Sequence, residues 1–192
     1  MIRGLQLAMD LVHADKGVIA IKAIHGDAVR ALQQAIADDD RLALHFLPNI
    51  YPVGEERAVV REVLGTLLDA GSLPSKAGAV IINVETLQRM AAAVDAKKPL
   101  IDKDLTVAGK LNGPEVQIFH DMPLGMAVSD VLERAGGLGK EYGELIMGGP
   151  FMGKRTTLDA PIVKTTGGII AAETFLPGPE KNRSSRLCLR RR

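Results

Sequence analysis

Two short segments concentrate the residues whose types and spacing could do chemistry. The first, Leu47-Pro48-Asn49-Ile50-Tyr51-Pro52-Val53-Gly54-Glu55-Glu56, follows an apolar run and leads into a helical pattern; the second, Asn83-Val84-Glu85-Thr86, has the same setting further along. In open α/β sheets ligands bind beyond the carboxyl ends of the strands, because loops and helix N-termini converge there and offer unpaired amides. Both segments fall at such ends, so the chemistry they point to is ligand binding. The same residues also have structural uses: Glu55 and Glu56 can complement a helix dipole, and Asn83 can be an N-cap. Metal chemistry has little support. His13, His25, His45 and His120 lack ligand spacing, and the single Cys188 can form neither an internal disulfide nor an all-cysteine site.

The elements that would position these segments are read from apolar patterning. Gly17–Ile21, Leu42–Leu47 and Ala79–Ile82 are nearly continuous apolar runs, as expected for parallel strands covered on both faces. Between them, Ala28, Ala31, Leu32, Ala35 and Ile36 repeat with helical spacing, with Asp27 as the expected N-cap, and Leu87, Met90, Ala91 and Val94 repeat it again. This order predicts βα units around a parallel sheet over residues 1–98. From Pro99 the pattern changes. Leu105–Val107 and Val116–Phe119 read as strands joined at Asn112-Gly113-Pro114, followed by a helix over Gly125–Ala135 that Gly136-Gly137 ends. Strands at Glu144–Met147 and Gly168–Ala172 flank the glycine-rich loop Gly148-Gly149-Pro150-Phe151-Met152-Gly153, which makes 99–176 a second, β-rich domain. From residue 177 the apolar pattern is lost, and a basic, disordered tail is expected.

Composition excludes several classes of function. With 24 basic against 23 acidic residues there is no broad electrostatic footprint for nucleic acid. No apolar run approaches the roughly 20 residues of a membrane-spanning helix, and no signal peptide is recognisable at the N-terminus, so a cytoplasmic location is expected.

Taken together, Tyr51-Pro52-Val53-Gly54-Glu55-Glu56, Gly65 closing the next helix, and Ile82-Asn83-Val84-Glu85-Thr86-Leu87 resemble the paired signature that lines the flavin site in the flavin subunit of respiratory complex I. The Tyr-Pro variant is closer to the C subunit of Rnf-type electron transport complexes and to the proline reductase-associated electron transfer protein. Gly109, Gly113-Pro114, Gly136-Gly137, Gly148-Gly149-Pro150, Met152-Gly153 and Lys164-Thr165-Thr166-Gly167-Gly168 are similar to the β-grasp, soluble-ligand-binding domain that follows it. The resemblance implies FMN and NADH as cofactors. Gly54 would let the backbone approach the flavin, Glu55 and Glu56 would lie near its ring or the nicotinamide, and Asn83 and Thr86 would hydrogen-bond the flavin or its phosphate. It also implies redox partner proteins or further subunits, with any membrane association at the cytoplasmic face and only through those partners.

The sequence departs from that pattern in three ways. Ile82 replaces one of two asparagines of the family segment, the family's N-terminal glycine-rich segment has no counterpart, and Cys188-Leu189-Arg190-Arg191 holds one cysteine where the family carries an iron–sulfur motif. A cluster needs four thiolates, so Cys188 is at most a remnant of such a motif. The expectation is therefore a component or fragment of a flavin- and iron–sulfur-dependent electron-transfer protein, inactive by itself and binding flavin weakly. The alternative is a β-grasp docking module without redox activity.

Overall fold

The computed structural model describes residues 1–150 and 152–173 and divides after Leu100 into two compact units. The basic tail and the Cys188 segment lie outside the described residues.

The first unit runs α1 (Ile2–Val12), β1 (Gly17–Lys22), α2 (Gly26–Ala35), β2 (Leu42–Leu47), α3 (Glu56–Leu64), a single 3-10 turn (Pro74–Ala77) and α4 (Val84–Asp95). β1 and β2 pair in parallel from Gly17 with Leu42 to Lys22 with Leu47, so both strands end at the same place. α1 covers the face that carries Gly17, where an added Cβ would fall 2.7 Å from Met9 Sδ. Gly4 serves a similar purpose against α4, since a Cβ there would lie 1.8 Å from the Leu87 carbonyl oxygen. Polar contacts reinforce this packing. Gln6 donates to Asp39 at 2.9 Å, Arg41 binds the same carboxylate, and these bonds hold Asp39 down at a pKa of about 2.

Three expectations for this unit need correction. Ala79–Ile82 is not a strand: it meets no ladder partner among the described residues, and an apolar run without a neighbour to bond has no sheet to join. Asp27 is not the N-cap of α2, which begins at Gly26 after His25; Asp27 sits in the first turn and pairs with Arg30 instead. The apolar repeat of α2 does not bury a residue, and Ala28, Ala31 and Ala35 are exposed. Leu32 and Ile36 are half-buried, so the face turned inward is narrower than the spacing implies.

The second unit contains β3 (Asp102–Gly109), β4 (Val116–Pro123), α5 (Val128–Arg134), β5 (Glu144–Met147), β6 (Lys154–Thr156) and β7 (Gly168–Ala172). Its sheet has the order β4-β3-β7-β5-β6, with β7 inserted parallel to β3 and the other pairings antiparallel. A hairpin, one covering helix and a last strand inserted beside the first make this a β-grasp-like unit. Alternation explains its core: Leu105 and Val107 of β3, Leu145 of β5, and Ile169 and Ala171 of β7 point inward against Val128, Val131 and Leu132 of α5. The helix starts later than the expected Gly125 because that residue has φ +88, outside the helical region. The glycine-rich loop closes a tight β5–β6 connection; at Gly153 a Cβ would fall 2.5 Å from Ile146 Cγ2 and 2.6 Å from the Gly149 carbonyl oxygen.

Candidate functional site

The parallel strands β1 and β2 both run out at Lys22 and Leu47, and the chain leaves them through loops that open α2 and α3. The first turn of α4 joins them. A groove of about 310 Å³ lies there, lined by Ile21, Lys22, His25, Leu47, Gly54 and Val84 among others. This volume is at the lower end of ligand pockets, about 300–1,000 Å³. Its walls are mainly apolar, from Ile19, Leu32 and Val53 as well, which suits the flat ring of an aromatic ligand.

Of the five residues singled out in the sequence, Gly54 lines this groove directly. Its φ is outside the left-handed region, and an added Cβ would meet nothing within 4 Å. The protein itself therefore gives no steric reason for glycine here. Glu55 and Asn83 have structural work. Glu55 is the N-cap of α3, its Oε2 accepting from Ala58 N at 3.1 Å while Arg57 pairs with it at 3.5 Å. Asn83 caps α4, its Oδ1 accepting from Glu85 N at 2.9 Å. Glu56 lies in the first turn of α3, where a carboxylate complements the helix dipole, and Thr86 lies in α4; both are exposed. The groove thus has Gly54 in one wall and the first residue of the Asn83-capped helix, Val84, in another.

Residues 1–92 match the Nuo51 FMN-binding domain family. The chain is 37% identical over 171 residues to the cobalamin reductase PduS of Salmonella typhimurium, covering 88% of this chain and 37% of that protein. Identity is 34% over 172 residues to the C subunit of the Na(+)-translocating ferredoxin:NAD(+) oxidoreductase complex of Acetobacterium woodii, covering 88% and 38%. With the C subunit of the ion-translocating oxidoreductase complex of Yersinia enterocolitica it shares 30% over 186 residues, 95% of this chain and 26% of that one. The chain is related to the Rnf-type C subunit and to the complex I flavin subunit. It spans less than two fifths of the length of these curated relatives.

An FMN-type ligand fits the residues present: an apolar trough for a ring, a glycine with open space beside it, Lys22 at the end of β1 and His25 at the N-cap of α2. Lys22 and His25 are not among the residues that sequence reasoning singles out. The available signal is a lysine closing an apolar strand shortly before a helix, in the position where parallel-sheet ligands bind. Among the described residues there is no group of histidine, cysteine and carboxylates able to hold a metal ion, and no helix is long and apolar enough to cross a membrane.

Proposed function

We propose that residues 1–98 form part of an FMN and NADH site, within a flavin- and iron–sulfur-dependent protein that moves electrons between NADH and a partner protein. The observation that carries this reading is Gly54, a glycine with no internal steric need and open space beside it, in the wall of an apolar groove at the end of two parallel strands. The kinship with the C subunit of ferredoxin:NAD(+) oxidoreductase complexes and with a cobalamin reductase supports the redox class. When bound, FMN accepts a hydride and releases electrons one at a time. The chain's own part is positional. Backbone at Gly54 admits the ring, Glu55 and Glu56 set the charge near it or near the nicotinamide, and Asn83 and Thr86 hydrogen-bond the flavin or its phosphate. An iron–sulfur cluster would need thiolates beyond this sequence's single cysteine, since Cys188 supplies one of the four required. Residues 99–176 serve as a soluble-ligand-binding β-grasp domain, and other subunits of the complex, at a cytoplasmic membrane face, are the partners.

The groove is open, and among the described residues Lys22 and His25 are the charged or titratable side chains that line it. Each charge-assisted hydrogen bond is worth roughly 1.5–3 kcal/mol, so a groove with only these two such side chains is expected to bind FMN at millimolar strength or weaker. Titrating the 15N-labelled chain with FMN into the millimolar range tests the site. Amide shifts are expected at Val53–Glu56 and Asn83–Thr86, and their absence would sink the flavin reading. Saturable flavin-fluorescence quenching in the low micromolar range would instead sink the expectation of weak binding. The second reading, a docking module without redox chemistry, draws on the edge strand β4, where Val116 and Ile118 are 61% and 66% exposed. It predicts partner binding with no flavin response in the same titration.

A further inference from the structure

Lys22 differs from five arginines of its unit. Arg3, Arg30, Arg41, Arg57 and Arg61 each face a carboxylate, whereas Lys22 enters no ion pair among the described residues. It is half-buried, it ends a strand whose neighbours in the groove are apolar, and it lines that groove beside His25. With no carboxylate paired to it among the described residues, the Lys22 ammonium is available to an anion arriving in the groove. The apolar walls require the anion to be attached to an apolar or aromatic body, and the position at the carboxyl end of a parallel strand is where phosphate-bearing ligands seat in such sheets.

We propose that Lys22 is a phosphate-binding residue of the groove, pairing with the phosphate of the bound nucleotide and setting a preference for phosphorylated over unphosphorylated ligand. This rests on the flavin reading above, and the test separates the two. Riboflavin and FMN share the ring and differ in the phosphate, while ADP-ribose carries phosphate without the flavin ring. Binding of all three to the full chain is read from the initial slope of the amide shifts against ligand concentration, for the native sequence, Lys22→Gln and Lys22→Arg. The native chain is expected to bind FMN at least roughly tenfold more tightly than riboflavin, the effect of one charge-assisted contact. Lys22→Gln should lose that preference by weakening FMN alone, and Lys22→Arg should keep it. If ADP-ribose weakens in Lys22→Gln while FMN does not, the phosphate is that of the dinucleotide and the flavin phosphate assignment is wrong. Equal FMN preference in the native chain and Lys22→Gln overturns the role of Lys22 and leaves the flavin site standing. No response to FMN or riboflavin in any of the three overturns both. Because Lys22 ends its strand with a half-buried side chain, an unchanged amide spectrum away from the groove verifies that each variant is folded.

Discussion

Gly54→Ala separates a structural glycine from one that makes room for a ligand. Where a glycine holds left-handed backbone, alanine is strained, and where neighbours crowd it, alanine clashes. Neither condition applies, since Gly54 has no positive φ and its added Cβ meets nothing within 4 Å. Alanine in a permitted conformation restricts the unfolded chain and stabilises by about 0.4–1 kcal/mol. For a unit of this size that corresponds to an upward shift of about 2–8 °C in Tm. The ligand-bound state should respond in the opposite sense. A flavin packed against the backbone at the usual contact distance of about 3.5–4.0 Å has no space for a carbon projecting about 1.5 Å from Cα. Overpacking of this kind costs about 1–3 kcal/mol, so FMN should weaken roughly fivefold to more than a hundredfold. Thermal unfolding of the ligand-free chain and an FMN titration followed by amide shifts measure the two halves. Loss of stability in the free chain, or unchanged FMN affinity, would refute the assignment of Gly54 to a ligand wall.

Gly4→Ala should destabilise the first unit by about 1–3 kcal/mol or more, because its Cβ would sit 1.8 Å from the Leu87 carbonyl oxygen and force α1 away from α4; urea unfolding that showed no change would contradict this packing. Asn83→Ala should cost about 1 kcal/mol through loss of the α4 cap, and Asn83→Ser should largely restore it. If Asn83 also holds flavin through its amide, both variants weaken FMN in the same titration, and recovery by serine would reduce Asn83 to a cap. Asp39 has a folded pKa lowered to about 2 by Arg41 and Gln6, well below the usual aspartate value. Its contribution to stability is therefore full above about pH 4 and is lost as the pH falls toward about 2; acid unfolding of Asp39→Asn should show a smaller loss over that window than the native chain, and parallel curves would exclude the pairing as its cause.

Continuous apolar patterning makes most of the sheet strands legible. β1, β2, β5 and β7 coincide with apolar runs because each combines buried residues with a strand partner in sequence reach or in the second sheet. Ala79–Ile82 carries the same signal without a partner, and hydrophobicity alone does not reveal whether a ladder exists. β6, Lys-Arg-Thr, is invisible for the converse reason: it is a short, polar edge strand whose existence depends on pairing with β5. The caps illustrate a subtler limit. Aspartate at position 27 is a good capping residue, yet backbone geometry places His25 there, while Glu55, a side chain more at home in the first turn, caps α3. At the site, glycine and carboxylates stand out by spacing, whereas Lys22 and His25 become noticeable only when two strands and three helix starts are brought to one groove.

The capping bonds also bear on which candidates retain capacity for a ligand. Glu55 commits Oε2 to the α3 amide and Oε1 to Arg57, so its carboxylate is largely occupied in holding the helix start in place. Asn83 commits one acceptor, Oδ1, and keeps an exposed amide group with two donors. Thr86 retains a hydroxyl on the exposed surface of α4, and Gly54 contributes backbone with space above it. A ligand in the groove would meet Lys22 and His25, and the proposed site adds donors from Asn83 and Thr86. Glu55 would act by fixing the loop that presents Gly54. In this arrangement a structural role does not compete with a binding role: the caps that start α3 and α4 are what fix Gly54 and Val84 in the walls of the same groove, so loss of a cap should disturb the site even where the lost side chain never touches the ligand.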